Sequence, residues 1–126
     1  GKVAGLDFSG YWCVPCVQGM PALMNIVDKF KNDPVVWLAV HDASLQKVEE
    51  MQDKLRPLER SWGRPMNLMP VLDQKEARAS GHGGVTCSRY GVRIWPTLIV
   101  IDREGKVFGY CRKSEIEATG RRLLGK

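Results

Sequence analysis

An α/β domain with a central mixed β-sheet flanked by helices is what this sequence predicts, and three observations carry the prediction. Short apolar runs alternate with amphipathic stretches along the first half of the chain. A strongly apolar run from Val92 to Ile101 then turns back through Asp102-Arg103-Glu104-Gly105 into a second run at Lys106 to Cys111. The chain closes on one more helical stretch, so the order is strand, helix, strand, helix, irregular connection, hairpin and helix.

Each element has a local reason. Val3 to Phe8 is short and apolar and is closed by Ser9-Gly10, the pattern of a buried strand. From Cys16 to Phe30, Val17, Met20, Leu23, Met24, Val27 and Phe30 recur at helical spacing, and Asn32-Asp33-Pro34 supplies a stop. Val35 to Val40 reads as a second buried strand, with His41 closing its end. Ser44 is placed to cap a second helix through Leu45, Val48, Met51 and Leu55, which Arg56-Pro57 ends or kinks. Met66 to Gly84 loses periodicity, so long loops around a short strand at Met69 to Leu72 are expected, with His82 in a mobile loop. Ser114 with Glu117 three residues on gives a capping-box start for a last helix marked by Ile116, Thr119, Leu123 and Leu124.

Composition narrows the function. The 126 residues suit a single domain, 1–126, able to bury one core without staples. The formal charge of +5 comes from scattered Lys and Arg, which describes a solvated surface better than a nucleic-acid site. No apolar run approaches the ~20 residues a transmembrane helix needs. The sequence opens on Gly1 and enters a strand almost at once, the pattern of a piece cut from a longer parent chain, so that any upstream targeting signal would lie outside these residues.

Chemistry concentrates at Trp12-Cys13-Val14-Pro15-Cys16. Disulfide exchange needs one thiolate to attack and a second thiol near enough to resolve the mixed disulfide, and two intervening residues at a helix start provide that spacing. Cys13 would be the exposed attacking thiol, its pKa lowered from the free value of about 8.5 by unpaired N–H groups and the helix dipole. Cys16, one turn inside, would be shielded and resolve. A C-x-x-C pair alone also suits zinc or plain packing. Zinc would need about four ligands, and Cys87, Cys111, His82 and His41 form neither a second C-x-x-C nor a tight Cys/His pair, so no metal is expected.

The segment Leu6 to Cys16, with Trp before the first Cys and Pro before the second, resembles the active-site strand and motif of the thioredoxin-like superfamily. Pro21 matches the proline that kinks the active-site helix there, and Tyr90 to Thr97 resembles the segment that carries a cis-proline opposite the dithiol. Met20-Pro21-Ala22-Leu23 and the hairpin from Leu98 to Gly105 are similar to the TlpA/ResA-like thiol-disulfide oxidoreductases. The resemblance covers nearly the whole chain. It implies a thioredoxin-like fold whose N-terminal strands lie ahead of Gly1, protein thiol and disulfide substrates, a further redox protein as partner, and an extracytoplasmic location with a membrane-anchored parent chain.

Residue by residue, the resemblance extends the site. Pro96 interrupts an apolar strand, where a cis bond or a strand edge is the physical expectation, and the family implies cis. The Trp95 backbone would then pair with a substrate chain lying across Cys13. A carboxylate at Asp7, six residues before Cys13 in an apolar strand, is costly unless hydrated or paired. The family implies that it shuttles a proton with Cys16, the alternative being an ordinary strand-end Asp. Trp12 either packs or shapes the docking surface together with Val14 and Pro15, and the bulk of Trp95 narrows access to Cys13. Gly19 departs from the acidic residue many relatives carry at that helix position. Val14 brings no charge, which favours a reductant-leaning or intermediate potential over that of a strong oxidant. Cys87 and Cys111 read as buried apolar residues, with a second disulfide between them as the alternative.

The function expected is therefore an enzyme exchanging the Cys13/Cys16 dithiol with protein disulfides, as reductant and without a cofactor. A peroxidase lacks support, because the Thr or Ser preceding a lone peroxidatic Cys is missing. A non-catalytic thioredoxin-like binding module in a larger assembly is the alternative from another class.

Overall fold

The computed structural model describes residues 1–75 and 83–126, so the expectation for His82 lies outside the described residues. Among the described residues nine elements follow one another: β1 (Val3–Ser9), α1 (Val14–Lys29), β2 (Val35–His41), α2 (Val48–Trp62), β3 (Met69–Leu72), α3 (Val85–Arg89), β4 (Thr97–Ile101), β5 (Val107–Cys111) and α4 (Lys113–Leu123). The five strands form one mixed sheet in the order β3-β2-β1-β4-β5. β1 runs parallel to β2, and β2 to β3, whereas β4 is antiparallel to both β1 and β5.

The strand alternation of period two divides β1 between two cores. Val3 joins Trp37, Ala39, Leu98 and Val100 under α1 and α4, which contribute Met20, Leu23, Met24, Val27 and Ile116. Leu6 and Phe8 face the other way, against Val40, Cys87, Val92 and Ile99. Fully burying a side chain such as Phe8, Leu23 or Phe30 contributes about 2 kcal/mol each. Gly5 lies opposite Trp37 in the parallel register, and a side chain there would collide with the indole. Asp7 shares the parity of Val3 and so points into the α1/α4 side.

Four sequence expectations are corrected. α2 does not end at Pro57 but runs through it to Trp62, because Pro57 is exposed and the last turn is held from outside the helix. Trp62 Nε1 donates to the Val17 carbonyl at 2.9 Å, and Gly63, at φ 75°, closes the helix in the left-handed region that favours glycine. Ser44 does not cap α2, whose N-cap is Lys47; the Ser44 hydroxyl donates instead to Asp42 Oδ1 at 2.6 Å. α4 begins at Lys113 rather than after Ser114, with Glu115 Oε1 accepting the Arg112 N–H at 3.2 Å. The single apolar run from Val92 is a strand only from Thr97 onward, and α3 was not anticipated: its five residues are too few to display a helical period.

Candidate active site around the Cys13–Cys16 pair

Cys13 and Cys16 form a disulfide with their Cα atoms 5.2 Å apart. The pair starts α1 because β1 ends in Ser9-Gly10 and the next turn hands the chain directly to the helix, with the Cys13 N–H donating to the Gly10 carbonyl at 3.1 Å. Cys13 is the N-cap, in extended backbone, and Val14 and Pro15 fill the first helical positions, where a missing proline N–H removes no helical bond. The Cys16 N–H donates to Cys13 Sγ at 3.3 Å. That donor, with the positive end of a sixteen-residue helix behind it, favours negative charge on the first sulfur once the bridge opens.

The expectation of an exposed Cys13 is corrected: in the disulfide form Cys13 and Cys16 are only 3% and 5% exposed. The Trp12 and Trp95 rings meet edge to face with centroids 5.7 Å apart, which supports the narrowing expected of an indole at position 95. Val14, Ile94 and Pro96 are exposed around the pair, and the Trp95–Pro96 peptide bond is cis.

A network that sequence reasoning missed holds this loop to the end of β2. Trp12 Nε1 donates to Asp42 Oδ2 at 2.6 Å, and the Tyr11 N–H donates to His41 Nε2 at 3.0 Å. His41 Nδ1 lies 3.1 Å from Asp42 Oδ1, which also receives the Ser44 hydroxyl. Asp42 is wholly buried. Burial alone would push its pKa up, but hydrogen bonds from His41, Ser44 and Trp12 outweigh that and hold the carboxyl below the usual range. His41-Asp42 sits at the C-terminal end of β2, which runs parallel to the strand that leads into the motif, where α/β folds gather functional groups, and that position was the available signal.

Asp7, in β1, is 3% exposed. Its pKa is raised to about 7 by burial, with the positive charge of Lys113 pulling the other way. Asp7 and Cys16 line one cavity of about 560 Å³, which α1, β4, β5 and the start of α4 enclose. Lys113 was also missed by sequence reasoning, because its place at this cavity depends on how α4 packs.

Cys87 and Cys111 are both free thiols, so the alternative of a second disulfide between them is set aside. Burial, with the Asp73 charge adding to it, pushes the Cys87 thiol up to about 11, where it stays protonated. Among the described residues no cluster of three His, Cys, Asp or Glu side chains is arranged to hold a metal ion, and no helix is long and apolar enough to cross a membrane.

Comparison with known proteins meets this geometry. Residues 1–107 match the family model described as thioredoxin-like. The chain is 32% identical over 107 residues to the thiol-disulfide oxidoreductase ResA of Bacillus thuringiensis, covering 85% of this chain and 53% of that protein. It thus spans about half the length of the ResA proteins it matches. Among solved structures, a protein described as the thiol:disulfide interchange protein DsbE of Chlorobium tepidum superposes with a TM-score of 0.69 at 30% identity, over 99% of this chain and 79% of that one. The thioredoxin domain of a thiol-disulfide oxidoreductase from Bacteroides vulgatus shares the fold, with a TM-score of 0.74 at 20% identity over 98% and 80% of the two chains. Fold, motif and family model agree, and the chain belongs to the thioredoxin-like family, in the branch that contains the ResA-type thiol-disulfide oxidoreductases.

Proposed function

We propose that this domain is a thiol-disulfide oxidoreductase that exchanges its Cys13/Cys16 dithiol with protein disulfides, working as the reductant. The observation that carries this reading is the bridged pair at the start of α1, with the Cys16 N–H directed at Cys13 Sγ. The Cys13 thiolate attacks one sulfur of a substrate disulfide, forming a mixed disulfide and releasing the other substrate sulfur as a thiolate, which takes up a proton. Asp7, as carboxylate, accepts the Cys16 proton across the shared cavity. The Cys16 thiolate then attacks Cys13 Sγ, the Cys13–Cys16 bond forms, and the second substrate sulfur leaves. The substrate has gained two electrons, the dithiol has lost two, and no cofactor is needed.

Val14, Pro15 and Pro96 are exposed at the rim and Trp12 and Trp95 form its wall, which supports docking of an extended substrate segment over Cys13. The uncharged Val14 between the cysteines supports the reducing direction. Similarity to ResA and DsbE supports an extracytoplasmic setting, in which residues 1–126 act as one domain of a membrane-anchored parent chain and a second redox protein returns the dithiol to its reduced form. Equilibrium titration of the Cys13/Cys16 pair in glutathione and dithiothreitol buffers, with Cys13→Ser as control, tests the proposal. A two-electron transition near the thioredoxin value of about −270 mV is the expected result, and one near −120 mV would reverse the direction. No reversible transition, with no turnover in insulin reduction, would leave a non-catalytic binding module.

A further inference from the structure

Gly19 and Lys113 meet at the mouth of the cavity that Asp7 and Cys16 share. Lys113 opens α4, and its ammonium donates to the Gly19 carbonyl of α1 at 3.0 Å, bridging 94 residues of sequence. A Cβ on Gly19 would meet the Lys113 ammonium, so a larger residue there makes the flexible end of the lysine swing away from this carbonyl. The same ammonium is the opposing charge that acts on the buried Asp7 carboxyl. The neighbours of Asp7 in the sheet, Ala39 on β2 and Leu98 on β4, carry no charge. The other titratable or charged groups at this cavity are Cys16 from α1, Tyr110 and Cys111 from β5, Arg112, and Glu115 from α4. Glu115 is engaged by the Arg112 N–H, and Arg112 is exposed whereas Lys113 is half-buried.

We propose that Lys113 is a positioning residue for the resolving step, latched across the cavity mouth by the Gly19 carbonyl so that its ammonium stabilises the Asp7 carboxylate that takes the Cys16 proton. The inference rests on the role given to Asp7 above. In the resting disulfide form the latch is the Gly19 carbonyl. When Asp7 ionises, the flexible four-carbon stem lets the ammonium lean toward the carboxylate without α4 moving. Gly19 thus gives a cation from the last helix room beside the cavity that Asp7 and Cys16 line.

The test compares the wild-type chain with Lys113→Met, Lys113→Gln, Lys113→Arg and Gly19→Ala. Two readouts are taken: the Asp7 carboxyl titration by 13C NMR on the disulfide form, and the pH profile of insulin reduction. Removing the charge, or displacing it with the Ala methyl, is expected to move the Asp7 midpoint upward by about half a unit from its value near 7, and the activity inflection with it, while Lys113→Arg holds both near wild type. Two neutral variants are used so that loss of fold in one leaves the other readable, and thermal melts identify that case. A midpoint at the wild-type value in the folded neutral variants, or in Gly19→Ala, overturns the proposal. Asp7→Asn separates the two readings: an activity inflection that survives it refutes the role of Asp7 itself, whatever Lys113 does.

Discussion

Two sets of polar side chains flank the Cys13–Cys16 bridge, and they differ in kind. In and around the loop that leads into Cys13, Trp12, Tyr11, His41, Asp42 and Ser44 are joined by hydrogen bonds of 2.6 to 3.1 Å, and the carboxyl among them is held ionised by its donors. In the cavity of about 560 Å³ that Cys16 shares with Asp7, burial holds a carboxyl near neutrality, opposed by a flexible lysine. In the proposed mechanism the first set holds the motif loop in place, and the second moves protons. A carboxylate satisfied by several donors serves geometry, whereas one short of donors is available for acid-base work.

Four substitutions sharpen or break that contrast. Cys16→Ser should have the largest effect, abolishing turnover while leaving a Cys13-linked mixed disulfide that mass spectrometry detects; release of substrate by this variant would deny Cys16 the resolving role. Asp7→Asn comes next. A buried acid whose folded pKa lies above its unfolded value near 3.8 favours the protonated form, so ionisation costs the fold stability as pH rises from about 4 through about 7. Asp7→Asn should therefore stabilise the disulfide form at pH 8, by an upper bound of about 4 kcal/mol, and leave stability unchanged near pH 4, as urea titrations at the two pH values would read. Asp42→Ala should act in the opposite sense, destabilising by about 2 kcal/mol at neutral pH because buried donors lose their acceptor. Asp42 has a depressed pKa, so its contribution is complete above about pH 4 and fades only as pH falls below that, a profile that acid titration of wild type and variant would compare. Trp12→Phe should be the mildest, at about 1 kcal/mol for one lost hydrogen bond, with no displacement of the activity inflection. An inflection that moves with Trp12 or Asp42 would merge the two sets.

Much of this was legible beforehand, because the signals were local. The buried runs of β1 and β2, the helix starting at the dithiol, the strand at Met69–Leu72 and the turn at Asp102 to Gly105 each follow from a few consecutive residues. Asp7 was readable because a carboxylate in an apolar strand needs a reason. The failures share a cause in tertiary packing. Pro57 read as an end or a kink of α2, and the end is excluded because the helix continues to Trp62, whose indole reaches Val17. His41 looked like a strand end, and nothing in its neighbours says that Tyr11, thirty residues earlier, donates to it. Gly19 registered as a departure from a pattern; its use became visible only when α4 brought Lys113 against it.

β1 is bonded along both edges, to β2 over its whole length and to β4 from Ala4 to Phe8. Its amides should therefore be among the slowest in the molecule to exchange with deuterated water, opening only with much of the sheet. The rim segment from Gly91 to Pro96 precedes β4 and belongs to no strand. The strand that feeds the sulfur pair is thus the anchored part of the site, whereas the segment beside it is held by single contacts such as the Val92 N–H on the Cys87 carbonyl, and its amides should exchange sooner than those of β1.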